Sequence, residues 1–186
     1  MKTSLATTQK LVILGLLAAI SIVLVYFIHF PLIPMATFLE YDPADIPIIF
    51  GTLLYGPGAG LLLTLVVSVI QGLTVSAQSG IIGIVMHFVA TGCFVLVCGL
   101  LYKKMRSTKG LILSLAVSVV VWLVVMIVMN LILTPLFMGQ PMQTVIEMLL
   151  PAIIPFNLLK AGINAVLAFL LYISMQKWAV NSRKEA

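Results

Sequence analysis

Three polar residues near the C-terminal end of the chain stand where hydrogen-bonding chemistry is least expected. From Pro151 to Trp178 the sequence reads PAIIPFNLLKAGINAVLAFLLYISMQKW, long and apolar enough to span a bilayer, yet it carries Asn157, Lys160 and Asn164. At about 100° per residue Asn164 falls about 20° from Asn157, and Lys160 about 60° from it, so the three share one helical face. Two carboxamides and an amine can together donate to and accept from the polar edge of a small molecule. A lysine inside a membrane helix costs roughly 2.5–3.5 kcal/mol on insertion scales, so Lys160 is expected to face a protein-lined cavity and to mark a functional site. The competing reading lets Lys160 snorkel to the interface and the asparagines bond neighbouring helices.

The elements that must position this face are membrane helices. Of the 186 residues 62% are hydrophobic and 8% charged, and the mean hydropathy is +1.25; a water-soluble domain is excluded, and one integral membrane domain over residues 1–186 is expected. The net charge of +5 does not point to nucleic acid, because the basic residues sit in short clusters between apolar spans and report topology. Cys93 and Cys98 are five apart in an apolar span, which suits neither a metal pair nor a redox motif, and both are expected to pack. The run from Leu11 to Phe30 follows Lys2 and Lys10 as a secretory signal would. At about 20 residues it exceeds a signal core and is expected to be the first span.

The spans are expected at about 11–30, 43–55, 58–75, 81–102, 110–137 and 151–177. GPGAG, Gly56 to Gly60, either turns the chain between the second and third or kinks one longer helix. Positive charge decides: six spans with the N-terminus inside put Lys103, Lys104, Arg106, Lys109, Lys177, Arg183 and Lys184 on the cytoplasmic side, leaving Lys160 as the exception among ten basic residues. Both termini are then cytoplasmic. Five spans would put the KKMRSTK loop and one terminus on opposite sides. Tyr55, Tyr102, Tyr172 and Trp178 are expected at the inner interface, and Trp122, in mid-span, is expected to face lipid or a partner.

Residues 31–47, PLIPMATFLEYDPADIP, hold three of the five acids. Asp42, Pro43 and Asp45 read as an N-cap, a first-turn proline and a first-turn acid, so capping is favoured for both aspartates over metal binding. The second span is short, so residues 31–42 are expected to dip into or cover a cavity, Leu39 among them. Six spans place this segment outside, near Thr74, Ser76, Gln78 and Ser79, near Asn130 and Thr134, and near the start of the last helix. Neutral hydrogen-bonding groups and one amine in the outer half of a bundle describe a pocket for a flat, mostly uncharged molecule. Thr134, beside Pro135, is read instead as an interhelical hydrogen-bonding residue. His29 is read as interfacial and His87 as a bonded core histidine. No phosphate loop, HExxH or GxSxG pattern occurs, so ATP hydrolysis and familiar membrane proteolysis have no support.

FLEYDPADIP, SAQSGIIG and IPFNLLKAGIN together resemble the riboflavin-specific substrate-binding (S) components of energy-coupling factor (ECF) vitamin transporters, over nearly the whole chain. The resemblance implies a six-helix bundle in a prokaryotic plasma membrane that takes riboflavin, and FMN as a further candidate, from outside. It also implies that a transmembrane coupling (T) subunit and two ATPases supply the energy, and that the flavin is substrate with no resident cofactor. Residue by residue it implies flavin contacts at Asn157, Lys160 and Asn130, and at Ala77 and Gln78; Ser76, Asn164 and Leu39 join the expected site from the reading of the residues above. The family's alanine-xxx-alanine coupling surface corresponds to Gly15 and Ala19, with Ala18 alongside. S components for other vitamins share the first motif in looser form, so a different vitamin stays open. From another class, a small metal-dependent membrane enzyme using Glu40, Asp42 and Asp45 is the alternative.

Overall fold

A computed structural model describes residues 2–34 and 36–182, with side chains for 7–34 and 36–177; Trp178, Arg183 and Lys184 lie outside the described side chains, as does Lys2. The helices are α1 (Lys2–Phe27), α2 (Asp45–Tyr55), α3 (Pro57–Leu73), α4 (Gly80–Met105), α5 (Thr108–Met138), α6 (Met142–Met148) and α7 (Ile154–Ser182). Four helical runs, Thr7–Phe27, Ala77–Met105, Thr108–Met138 and Met142–Lys177, are long and apolar enough to cross a membrane, and α2 and α3 are shorter apolar helices. At 1.5 Å per residue α3 is about 25 Å long and α2 about 16 Å. The chain is thus an all-α, multi-pass membrane protein. Leu11, Val12, Leu16, Val120, Leu136 and Leu170 are among many large apolar side chains on its outside, as lipid-facing surfaces require.

The break at Gly56 is a true turn. Gly56 has φ 88°, ψ 175°, a conformation that favours glycine, and its N–H closes α2 on the Thr52 carbonyl. Beyond it α3 runs back along α2, so that a Cβ on Gly60 would collide with Thr52 and one on Gly51 with Leu63. Only a glycine lets the two backbones approach this closely. The hairpin turns beside the α4–α5 connection, where Gly99 lies against Pro57. The same end of the bundle carries the Lys103, Lys104, Arg106 and Lys109 cluster, Lys10 over the Tyr55 ring at 5.7 Å, and Tyr102 donating to Tyr172 at 3.2 Å. The six-span reading therefore holds, with Lys10, the basic cluster of the α4–α5 connection and three of the aromatic belt residues at one end.

At the other end residues 28–34 and 36–44 fold back over the bundle. Two short strands, β1 (Phe30–Pro31) and β2 (Glu40–Tyr41), pair antiparallel with Phe30 opposite Tyr41. Ala36, Leu39 and Tyr41 bury themselves against Val145, Ala152, Ile153 and Phe156 in a second small core. Ser21 of α1 anchors the far side by donating to the Ala44 carbonyl at 2.8 Å. The segment between α5 and α7 is also more ordered than its polarity suggests: α6 runs through a π turn, Leu149–Ile153, into α7. Pro151 and Pro155 lack the N–H groups that would close regular helical bonds there, which accounts for the wider turn.

Two expectations are corrected here. Trp122 does not face lipid or a partner; it is buried, its ring edge-on to Phe94 at 6.3 Å. The helix after Asp42 begins at Asp45, and neither aspartate acts mainly as a cap. Asp42 accepts from the Ala44 amide at 3.1 Å, but its other oxygen, and the whole Asp45 carboxylate, point into the bundle toward distant partners.

Candidate functional site

The cavity lies under the folded-back segment, which contributes Phe38, Leu39, Glu40 and Asp42 to its lining. One wall comes from α5 and α7, with Trp122, Met126, Asn130, Thr134, Phe137, Phe156, Asn157 and Lys160. The facing wall comes from α3, α4 and the turn between them, with Ser68, Gln71, Ser76, Ser79, Ile82, Met86 and His87. The mixture of aromatic and aliphatic surface with a few placed polar groups is that of a small-molecule site.

Asn157 and Asn130 are held in fixed orientations. Asn157 accepts from the Trp122 indole at 3.2 Å and donates to the Ile153 carbonyl at 2.8 Å. An indole only donates and a carbonyl only accepts, so the carboxamide can face one way, with one N–H and one lone pair left for a ligand. Asn130 donates to the Met126 carbonyl and accepts from Thr134, each at 2.8 Å. The interhelical bond expected of Thr134 is not made: its hydroxyl stays within α5, on Asn130, and the side chain lines the cavity.

Lys160 donates to Asp42 at 2.7 Å, both side chains largely buried. The pair ties α7 to the covering segment and neutralises a charge that could not otherwise remain at this depth. Two of the three ammonium hydrogens remain free for a ligand. Asn164, one turn deeper, accepts from Tyr41 at 3.0 Å and donates to the Asp42 carbonyl and the Asp45 carboxylate, each at 3.3 Å. It is buried and does not line the cavity, so its place is to fasten the cover to α7. Burial, and then the charge of Asp42, hold the Tyr41 phenol above its ordinary pKa, so it remains a protonated donor to Asn164.

Asp45 accepts from Thr91 at 2.9 Å and meets His87 at 3.0 Å, while the other His87 nitrogen lies 3.2 Å from Ser68. His87 is the bonded histidine expected, and it joins α2, α3 and α4 at the cavity wall, which it and Ser68 help to line. His29 sits at the rim, bonded to the Val25 carbonyl at 3.0 Å. The two aspartates are engaged by a lysine and a histidine, and among the described residues no group of three His, Cys, Asp or Glu side chains is placed to hold a metal ion.

The structure therefore brings Asn130, Asn157, Lys160, Leu39 and Ser76 to one cavity, and sets Asn164 directly behind it. Ala77 and Gln78 do not reach the lining; they are exposed on the 3₁₀ turn before α4. Trp122, Gln71 and Asp42 escaped the sequence reading of the site. For Trp122 the available signal was helical phase, since it lies eight residues before Asn130 on α5 and so near its face. Of the α1 surface, Gly15 and Ala19 are exposed, whereas Ala18 turns inward and packs in the main core.

A helical membrane bundle with a lidded, largely apolar cavity and a few oriented hydrogen-bonding groups defines a membrane-embedded small-molecule binding protein. Residues 9–172 match the family described as ECF transporter, substrate-specific component, and the chain belongs to that family. It is similar to the riboflavin transporter FmnP of Bacillus subtilis, 28% identical over 94% of this chain and 96% of that one. It is likewise similar to the riboflavin transporters RibU of Staphylococcus aureus, 29% identical over 92% of each chain, and of Streptococcus thermophilus, 30% identical over 92% of this chain and 85% of that one. A solved S component of a bacterial ECF transporter superposes with a TM-score of 0.79 at 29% identity, covering 93% of this chain and 98% of that one.

Proposed function

We propose that this chain is the riboflavin-capturing subunit of an ECF-type importer. The observation that carries the reading is the α5–α7 wall, where Asn157, Asn130 and Lys160 present oriented donors and acceptors above an apolar bed. The pyrimidine edge of a flavin offers carbonyl, N–H and carbonyl in sequence. Asn157 retains one acceptor site and one donor, which match the N–H and one carbonyl; Lys160 or Asn130 supplies a donor to the other. Trp122, Met126, Phe137 and Phe156 then bury the dimethylbenzene end, where apolar contact supplies much of the affinity. FMN shares the ring and is a second candidate cargo.

The basic end of the bundle faces the cytoplasm by the charge rule, which places both termini inside and opens the cavity to the outside of the plasma membrane. Binding is the task of this subunit. Accumulation against a gradient falls to a T subunit and two ATPases, met in part through the exposed Gly15–Ala19 surface of α1. Purification from cells grown with riboflavin, followed by titration of the flavin-free protein against riboflavin fluorescence, tests the reading. Saturable one-to-one quenching is expected; a protein that leaves riboflavin fluorescence unchanged, or that copurifies with a different vitamin, refutes it.

A further inference from the structure

We propose that Gln71, with Ser76 and Ser79, forms a subsite for the hydroxylated tail of the ligand, on the wall facing Asn157 and Lys160. The proposal rests on the flavin reading above and assigns the part of the cavity that reading leaves unused. Its starting point is an unpaired atom. Among the described residues the Gln71 Oε1 is the buried side-chain oxygen or nitrogen for which no hydrogen-bond partner exists, and Gln71 lines the cavity. The large majority of buried polar atoms in native proteins are satisfied, and an orphan on a side chain that lines a cavity is accounted for when a small turn of the carboxamide lets a ligand group complete it.

The local backbone holds this corner in place. The Gln71 carbonyl accepts from the amides of both Thr74, at 3.2 Å, and Ser76, at 2.9 Å, so the chain turns back on itself where α3 ends. That turn sets the Ser76 hydroxyl over the Gln71 carboxamide, whose Nε2 donates to it across 3.4 Å. The Ser79 amide then bonds the Ser76 carbonyl at 2.9 Å, and Ser79 reaches the lining from the same turn.

The chemistry of the corner selects hydroxyl groups. A serine hydroxyl can donate or accept, so the Gln71 carboxamide is stable either way round: one orientation leaves a carbonyl toward the cavity, the other an N–H. A ring carbonyl would satisfy only the second and a ring N–H only the first. A ligand hydroxyl, both donor and acceptor, satisfies either, and the two serines accept and donate in the same manner. A flavin whose ring edge is held by α5 and α7 has such groups on the sugar-alcohol chain attached to its ring.

The test compares riboflavin with lumiflavin, which has the same ring and a methyl group in place of the hydroxylated chain, by fluorescence titration of purified wild type, Gln71→Leu and Ser76→Ala/Ser79→Ala. The wild type is expected to prefer riboflavin. Gln71→Leu should lower riboflavin affinity about tenfold, the scale of one or two lost hydrogen bonds, while lumiflavin affinity stays within about twofold. The double serine variant should lose riboflavin affinity in the same selective way. Equal losses for both flavins in Gln71→Leu and the serine variant, or riboflavin affinity unchanged in both, overturn the subsite while leaving the flavin reading in place. A wild type that binds neither flavin overturns both.

Discussion

At the scale of single residues, Lys160 is the test of whether the last helix recognises a ligand. Lys160→Met should lower riboflavin affinity by about 5- to 150-fold, the cost of about 1–3 kcal/mol for a stranded flavin carbonyl. It also removes the partner of Asp42, a buried carboxylate, so the variant should lose about 3–5 kcal/mol of stability. Asp42→Asn combined with Lys160→Met should restore most of the thermal stability and none of the affinity, which separates the two roles in melting and titration experiments. If Lys160→Met and Asn157→Ala both bind riboflavin as tightly as wild type, this face of α7 is packing. Asn157, Lys160 and Asn130 were legible in the sequence because a polar group is conspicuous among apolar neighbours. Asp42 and Asp45 were misread because Asp-Pro-x-Asp fits a helix start, while the partners that decide their role lie 118 and 42 residues away along the chain. Gln71 was passed over for a related reason. Its unpaired oxygen is a property of the turn at 74–76, which no periodicity announces.

Among the elements, the spans were the most legible part of the fold, since hydropathy sets their length and the basic clusters set their number. The α2–α3 hairpin was legible too, through GPGAG, although the need for glycine at position 60 comes from the approach of Thr52. The helical run through α6 was not, because its polar residues resemble a loop and the pairing that steadies it, Gln143 to Glu147 at 3.2 Å, is weak and local. The covering segment carries the prediction at this scale. It is fastened to α7 through Tyr41, Asp42 and Lys160, and to α5 through the Phe38 ring, 6.3 Å from that of Phe137. Because Phe38 is half-buried and lines the cavity, a ligand beneath it should hold the segment closed. In a chain with Cys93 and Cys98 replaced by alanine, Phe38→Cys should react with a water-soluble thiol reagent several-fold more slowly when riboflavin is bound. Equal rates with and without riboflavin would mean that the segment does not respond to the ligand.

For the whole molecule, the division between capture and energy follows from what the bundle keeps inside and what it leaves on its surface. The cavity, its cover and the charged pairs beside it all come from this one chain, so the isolated protein is expected to bind the ligand. The exposed side of α1 is different. Leu14, Leu17 and Ala18 face the core, whereas Gly15 and Ala19 face outward among Leu11, Val12 and Leu16. A Cβ at Gly15 would meet nothing within 4 Å, so this glycine is not required by the bundle and costs the helix about 1 kcal/mol relative to alanine. A small-residue surface of this kind allows another membrane helix to approach closely. Gly15→Leu with Ala19→Leu fills it without disturbing any contact within the chain. The purified double variant should therefore bind riboflavin as the wild type does. Cells that supply the T subunit and ATPases together with the variant should take up little or no riboflavin, and the T subunit should no longer copurify with it. Uptake at the wild-type rate would move the docking surface to another face, and loss of binding in the isolated variant would mean that α1 supports the cavity itself.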